Sequence, residues 1–410
     1  MPQLFTVLTP KEAWLRLEPY LLPIERVERI PTNEALGRVL AEDIFAPENL
    51  PPFSRSAMDG YAVRAEDTHG ASESLPAYLR IIGEIAMGRQ TEITLSSGEV
   101  ALVHTGSGLA GGADAVVMLE NTRQIDASTL EVFRPVAVGE NILQIGEDVL
   151  KGEKLLTSGH LIRPQDVGGL LALGITQVEV FQKVRVALIS TGNELVTPES
   201  EPKPGQIRDT NAYTLSSLTL IAGGIPLPLG IVPDDYQALR EAAERGRREA
   251  DMVVISAGSS VSTRDLTAQV IDSLGKPGIL VHGVSLKPGK PTILASVGQK
   301  PFFGLPGNPA SAMLTFNLFV TPSIYKLSGC NNPPQPLNIQ ARLTRNIPSA
   351  PGREDYVPVR VEERNGEMWA EPIFGKSNLI STLIKADGLA QVGLNKAGLQ
   401  AGEMVTVRMF

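Results

Sequence analysis

The sequence predicts a multidomain α/β plus β protein. It would have a central parallel α/β domain, an inserted β-rich domain, an N-terminal mixed helical domain and a small C-terminal β-barrel-like domain. Three observations carry this expectation. The 410 residues exceed what one hydrophobic core ordinarily organises, so two to four domains are expected. From Val184 onward, strand-like runs such as VRVALIST and DMVVISAG alternate with helical stretches, the rhythm of a parallel sheet covered on both faces. On either side of that region the texture is short alternating runs punctuated by turn residues.

The elements follow in order. Thr9, Pro10 and Glu12 form a capping box with proline at the first helical position, predicting a helix over KEAWLRLEPYL. TNEALGRVLAEDI, after the break at Pro31, reads as a second helical stretch. Pro51 to Val63, PPFSRSAMDGYAV, is stiffened by two prolines and holds a lone carboxylate, Asp59, before Gly60. YLRIIGEI and EVALVHT then read as strands of a β-rich region reaching about Val138. A helix is predicted to open at Pro164 and stop at Gly174. If this returning segment packs beside the N-terminal helices, the β-rich domain is an insertion.

In the α/β region, NAYTLSSLTLIAGG and DDYQALREAAERGRREA are the helices and PLPLGIV a further strand. Asn308 and Pro309 open the last helix, NPASAMLTFNLFV, which Pro322 is expected to kink or end. NNPPQP is a linker, and DYVPVRVEE and EMVTVRMF predict a final all-β domain. The expected division is 1–52 with 140–182, 53–139, 183–330 and 331–410.

Composition removes several functions. With 37 Lys+Arg against 45 Asp+Glu, a net charge of −8 and no basic run, a nucleic-acid surface is not expected. The single cysteine, Cys330, cannot form an internal disulfide, suits a reducing compartment and reads as a small apolar residue. The start lacks the charged and apolar regions of a signal peptide, and no apolar run reaches the length of about 18 residues that spans a membrane. A cytoplasmic protein, not attached to a membrane, is expected.

Ligands of open α/β sheets bind beyond the carboxyl ends of the strands. There the sequence places Glu194, then Asp234 and Asp235, then the hydroxyls of Ser259, Ser260, Ser262 and Thr263 followed by Asp265, with Asp209 before a helix start. Converging carboxylates repel unless a cation relieves them, and a hard divalent ion such as Mg²⁺ suits an oxygen-only set poor in Cys and His. The alternative treats Glu194, Asp209, Asp234 and Asp265 as helix caps. SLKPGKP could aim Lys287 and Lys290 at one anion, and GLPGNPAS opens into a helix whose free N–H groups would form another anion site.

GSGLAG, Gly106 to Gly111, matches a dinucleotide fingerprint but precedes a strand rather than a helix, so the required context fails. No P-loop sequence occurs, and the four histidines are scattered without metal-ligand spacing.

Taken in order, PPFSRSAMDGYAV, GEDV, STGNEL, GQIRDTNAYTL, LKPGKP and GLPGNPASAMLTF resemble the molybdopterin molybdenumtransferase family, the bacterial MoeA proteins and the related E domain of gephyrin. The resemblance covers nearly the whole chain. It implies insertion of molybdenum from molybdate into adenylylated molybdopterin, with Mg²⁺ or Zn²⁺ assistance and release of AMP. It also implies a MogA-like α/β domain and an elongated homodimer whose cleft lies between subunits. MogA-type adenylyltransferases and molybdoenzymes would be its protein partners.

By the same resemblance Asp59, Thr105, Asp234 and Asp265 fall at catalytic positions, and Glu194 with Asp265 at the metal. Lys287, Lys290, Pro306, Asn308, Pro309 and Ser311 fall on anion-binding loops, with Arg353 and Ser381 as contacts to a phosphate or oxyanion. Two departures stand near that site: AGSSVSTRD replaces a glycine-rich loop, and Gly283 stands where some relatives carry lysine. Two other readings stay open, adenylylation of molybdopterin by ATP and a non-catalytic molybdopterin-binding scaffold.

Overall fold

A computed structural model describes residues 7–89, 91–257 and 261–410, without the side chains of 261–264. Ser259 and Ser260, and the side chains of Ser262 and Thr263, therefore lie outside the described residues. The chain forms two compact units, one of 43–157 with 164–176, the other holding the remaining described segments.

The larger unit is built on a six-stranded sheet in the order Ile225–Val232, Arg185–Thr191, Met252–Ala257, Lys300–Pro306, Ile293–Val297, Pro277–His282. The first four strands are parallel. The last two join antiparallel, so the sheet is parallel at its centre and mixed at one edge. Alternation along each strand feeds two cores. Phe303 faces one side with Val186, Leu188, Leu215 and Phe316, while its neighbour Phe302 faces the other with Ala187, Ile189, Leu239 and Ile271. The capping box closes as expected at the start of Pro10–Leu17, and that helix buries Ala13 and Leu17 on the Phe303 side.

The last helical run continues past Pro322 to Leu327 instead of ending there. A π turn over Phe316–Val320 precedes the proline, and such a widened turn absorbs the break in the hydrogen-bond ladder. After the linker, Glu354–Arg364, Glu367–Pro372, Asn338–Leu343, Met404–Met409 and Gly388–Val392 pair in turn, and the last pairs again with the first. The C-terminal domain is thus a closed five-stranded barrel around Val359, Ala370, Ala390 and Val407. One two-residue strand of the α/β region, Leu286–Lys287, lies parallel beside Glu354–Asp355 at the barrel's edge.

TNEALGRVLAEDI is not a helix. Only Thr32–Glu34 makes a 3₁₀ turn; Gly37 then adopts φ +71°, and Val39 and Leu40 bridge to Leu161 and Val180. Backbone partners from the returning segment outweigh the local helical preference. The predicted helix Pro164–Ala172 forms, with Gly174 at φ +72° beyond it.

In the smaller unit a six-stranded sheet runs Ala115–Met118, Gly60–Val63, Glu99–Val103, Ala77–Ile85, Thr129–Val132, Thr122–Gln124. Gly60 sits between two strands, and a Cβ there would meet the Val117 carbonyl oxygen at 2.0 Å. Among the described residues, no helix is long and apolar enough to cross a membrane.

This packing yields a stability prediction. Gly60→Ala should destabilise the smaller unit by about 1–3 kcal/mol through overpacking, whereas Gly108→Ala should be close to neutral, because nothing lies within 4 Å of its added methyl. Urea midpoints of the two variants compare them directly, and equal midpoints would contradict the close approach.

Candidate active site

Two groups of site residues emerge, one in each unit. In the smaller unit, PPFSRSAMDG is stitched to the turn HTGS. The Ser56 N–H donates to the Ser107 carbonyl at 2.9 Å and the Gly106 N–H to the Ser56 carbonyl at 2.8 Å. This brings Thr105 to Asp59, whose Oδ1 accepts from the Thr105 N–H at 2.8 Å and from its hydroxyl at 3.2 Å. Gly106, at φ +89°, lets the chain reverse immediately after Thr105. The backbone N–H of Thr105 is the main reason that the Asp59 carboxyl is held below its usual range, and its hydroxyl and His104 act in the same sense. Both Asp59 and Thr105 remain exposed.

In the larger unit, a cavity of about 1010 Å³ opens between the α/β domain and the barrel. Lys287, Lys290, Pro306, Asn308, Ser311 and Arg353, all predicted from sequence, line it together. Pro309 opens the helix Pro309–Thr315, and Ser381 is an exposed residue of the short helix Ile380–Ile384; neither is among the lining residues. The C-terminal domain also contributes apolar side chains, including Ile347, Val357, Ile373 and Leu389, and a further cation, Lys376, to the lining.

The sequence missed Asp355, Ser377 and Asn211. Asp355 is 1% exposed, and its carboxylate accepts from Arg353 Nε at 2.8 Å and Nη2 at 3.3 Å, with Lys287 Nζ at 3.5 Å. Its signal was an acid at an inward position of an alternating strand, directly after PGRE. Asn211 donates to both Ser256 Oγ and the Gly307 carbonyl at 2.8 Å, tying a strand end to the GLPGNP loop.

Ser377 corrects one expectation. The N–H groups at the start of the Pro309 helix were expected to be free for an anion. Instead the Ala310 N–H donates to the Ser377 carbonyl at 3.2 Å, and those of Ser311 and Ala312 donate to the Asn308 carbonyl. Asn308 does not cap the helix with its side chain but donates to Ser377 Oγ at 2.9 Å. One of these donors is thus taken by a segment of the C-terminal domain and two by the helix's own Asn308 carbonyl.

The acidic cluster is likewise not a preformed cage. Among the described residues, no group of three or more His, Cys, Asp or Glu side chains stands close enough to hold a metal. Asp209 and Asp235 are helix caps, accepting from the N–H groups of Ala212 at 3.2 Å and Ala238 at 2.9 Å. Asp234 accepts from the Thr191 hydroxyl at 2.9 Å, and its N–H donates to Asn193 Oδ1 at 3.1 Å. The Glu194 carboxylate folds back over Gly192, where a Cβ would lie 2.8 Å from Oε2. Glu194 and Asp234 therefore belong to adjacent strand ends, while Asp265 is exposed on Val261–Ser273.

Comparison with known proteins identifies the segments. Residues 8–174 match the MoeA N-terminal region (domain I and II), 187–326 the "probable molybdopterin binding domain", and 340–410 the MoeA C-terminal region (domain IV). The chain is 37% identical over 404 residues to a molybdopterin biosynthesis protein of Methanocaldococcus jannaschii, covering 96% of this chain and 95% of that one. It is 33% identical to the molybdopterin molybdenumtransferase of Haemophilus influenzae, covering 94% of each. A crystal structure of a molybdopterin biosynthesis MoeA protein from Pyrococcus horikoshii aligns with TM-score 0.86 and 36% identity over 99% of this chain and 100% of that one.

The Asp59 geometry sets a pH dependence. Because its folded pKa is lowered, Asp59 is ionised at neutral pH. The stabilisation from its bonds to Thr105 is present above the unfolded carboxyl pKa and is lost as pH falls through the folded value. An NMR titration should place Asp59 below an ordinary aspartate. Thr105→Val should retain most of that displacement, since the leading donor is the backbone N–H; a return to the ordinary value would refute this cause.

Proposed function

The chain belongs to the MoeA family, and from that premise we propose that it is a molybdopterin molybdenumtransferase. It inserts molybdenum from molybdate into adenylylated molybdopterin and releases AMP, in molybdenum cofactor biosynthesis. The observation that carries this reading is the cavity, whose lining combines four cations, Lys287 and Lys290 of the α/β domain with Arg353 and Lys376 of the C-terminal domain, with apolar barrel side chains such as Val357 and Leu389. Molybdate and phosphate are anions and a pterin is a flat heterocycle, so a large site lined by both kinds of group suits their joint binding.

The residue roles follow from chemistry. Lys287 and Lys290 neutralise oxyanion charge, Arg353 offers a planar fork of donors, and Asn308 and Ser311 supply directed polar groups. Pro306 and Pro309 fix the loop that carries Asn308, and Ser381 lies on the short helix that follows Ser377. Asp59, kept ionised by Thr105, acts as an acceptor that orients a water or a substrate donor.

Glu194, Asp234 and Asp265 present only carboxylate oxygens. That donor set fits Mg²⁺, which takes one or two carboxylates together with waters and substrate phosphates, better than it fits a closed zinc site. Glu194 and Asp265 would hold the ion. When bound it would supply charge neutralisation at the phosphoanhydride. The reading further includes a homodimer, the four-domain division at 1–52 with 140–182, 53–139, 183–330 and 331–410, a cytoplasmic setting, and MogA-type and molybdoenzyme partners.

Single-turnover AMP release from adenylylated molybdopterin with Mg²⁺ tests the proposal. Release should depend on molybdate or tungstate, and Asp59→Asn should slow it by roughly 10²-fold or more, the range for a group acting on a proton. Absence of release from folded wild-type protein would reject molybdenum insertion, and turnover of ATP with molybdopterin would transfer the assignment to adenylylation.

A further inference from the structure

Asp355 has no role in the reaction just described, yet it is the most buried charged group of the cavity wall. It is 1% exposed, whereas the side chains of its two partners keep 57% (Lys287) and 37% (Arg353) of their surface. The carboxylate thus lies behind the two cations. Arg353 Nε at 2.8 Å and Nη2 at 3.3 Å grip opposite oxygens, which fixes the plane of the guanidinium. Lys287 Nζ stands 3.5 Å from Oδ2, and the backbone brings the two residues side by side, because Lys287 and Asp355 are register partners in the ladder between Leu286–Lys287 and Glu354–Asp355. The Glu354 N–H donating to the Ser285 carbonyl at 2.9 Å extends the same seam.

An acid in an anion site lowers the local positive potential, so its presence there calls for a compensating gain. Two flexible cations on different domains lose considerable side-chain entropy when they converge on one anion. A buried carboxylate that orients both beforehand removes much of that cost from binding.

We propose that Asp355 is a positioning residue, which pre-orients Lys287 and Arg353 as one clamp for the molybdate oxyanion. The inference rests on the oxyanion-site reading of the cavity. It assigns to Asp355 an effect opposite in sign to that of charge alone. Asp355→Asn removes a negative charge, which by itself would tighten oxyanion binding; loss of positioning would weaken it.

The experiment is calorimetric titration of the whole protein with molybdate and with tungstate, together with AMP release under saturating and limiting oxyanion. For Asp355→Asn the dissociation constant should rise on the order of tenfold, within the range for residues in direct contact. The oxyanion KM should rise with it while kcat at saturation changes little. In a Lys287→Ala background the Asp355→Asn effect should shrink, whereas a purely structural role would give the same factor in both backgrounds. If the Asn variant does not fold, Asp355→Glu, which keeps the charge but displaces it by one methylene, should weaken binding in the same way. Unchanged or tighter oxyanion binding in these variants overturns the inference. Wild-type protein that binds neither oxyanion removes the cavity reading itself, and the inference with it.

Discussion

The short parallel ladder between Leu286–Lys287 and Glu354–Asp355 is the constraint on which the larger unit's cavity depends. It splices the KPGK loop of the α/β domain into the edge of the C-terminal barrel, so two domains share a continuous backbone seam. Packing reinforces the seam, since Tyr356 and Leu389 of the barrel are buried in the same core as Phe303 and Phe316. Burial and the neighbouring Glu354 raise the Tyr356 phenol well above its usual range, which keeps it neutral inside that core. A cavity held in this way is lined from both domains, each supplying cations and apolar side chains: Lys287 and Leu314 from one, Arg353, Lys376 and Val357 from the other.

The same economy of backbone appears around Asp59. A carboxylate at a loop tip is ordinarily mobile, but here the adjoining turn supplies an N–H and a hydroxyl from one residue, Thr105. Gly60 allows the following strand to pass close to Val117, and Ser56 and Ser107 join the two loops before either reaches the site. The acid is fixed from behind while remaining exposed, which is the arrangement required of a group that must touch a ligand.

Helix capping separated two classes of acid that look alike in sequence. Asp209 and Asp235 precede helices and are used by the N–H groups of those helices. Asp234, next to Asp235, is instead held by Thr191 and Asn193 at the strand ends. Neighbouring carboxylates thus have different tasks because one lies at a helix start and the other at the sheet edge. Likewise the Asn308 side chain donates to Ser377 instead of capping its own helix, because a segment of the C-terminal domain meets the start of the Pro309 helix.

Much of the fold was legible in the sequence because it rests on local signals: the Thr9–Glu12 capping box, the apolar runs of the central strands, Pro164 and Gly174 at the limits of a helix, and the alternation of DYVPVRVEE. The ordered motifs also placed Asp59 with Thr105 and gathered the lysines with Arg353. Where long-range pairing outweighs local preference, the sequence was a poor guide. TNEALGRVLAEDI has helical spacing, but Val39 and Leu40 find backbone partners more than a hundred residues away. Asp355 read as one more strand residue, since nothing local shows that an acid faces Lys287 across a ladder between domains. Residue type and periodicity determined which elements form and which chemistry is available. Only the tertiary structure decided which donors stay free and which charges become neighbours, because those depend on contacts between segments distant in the chain.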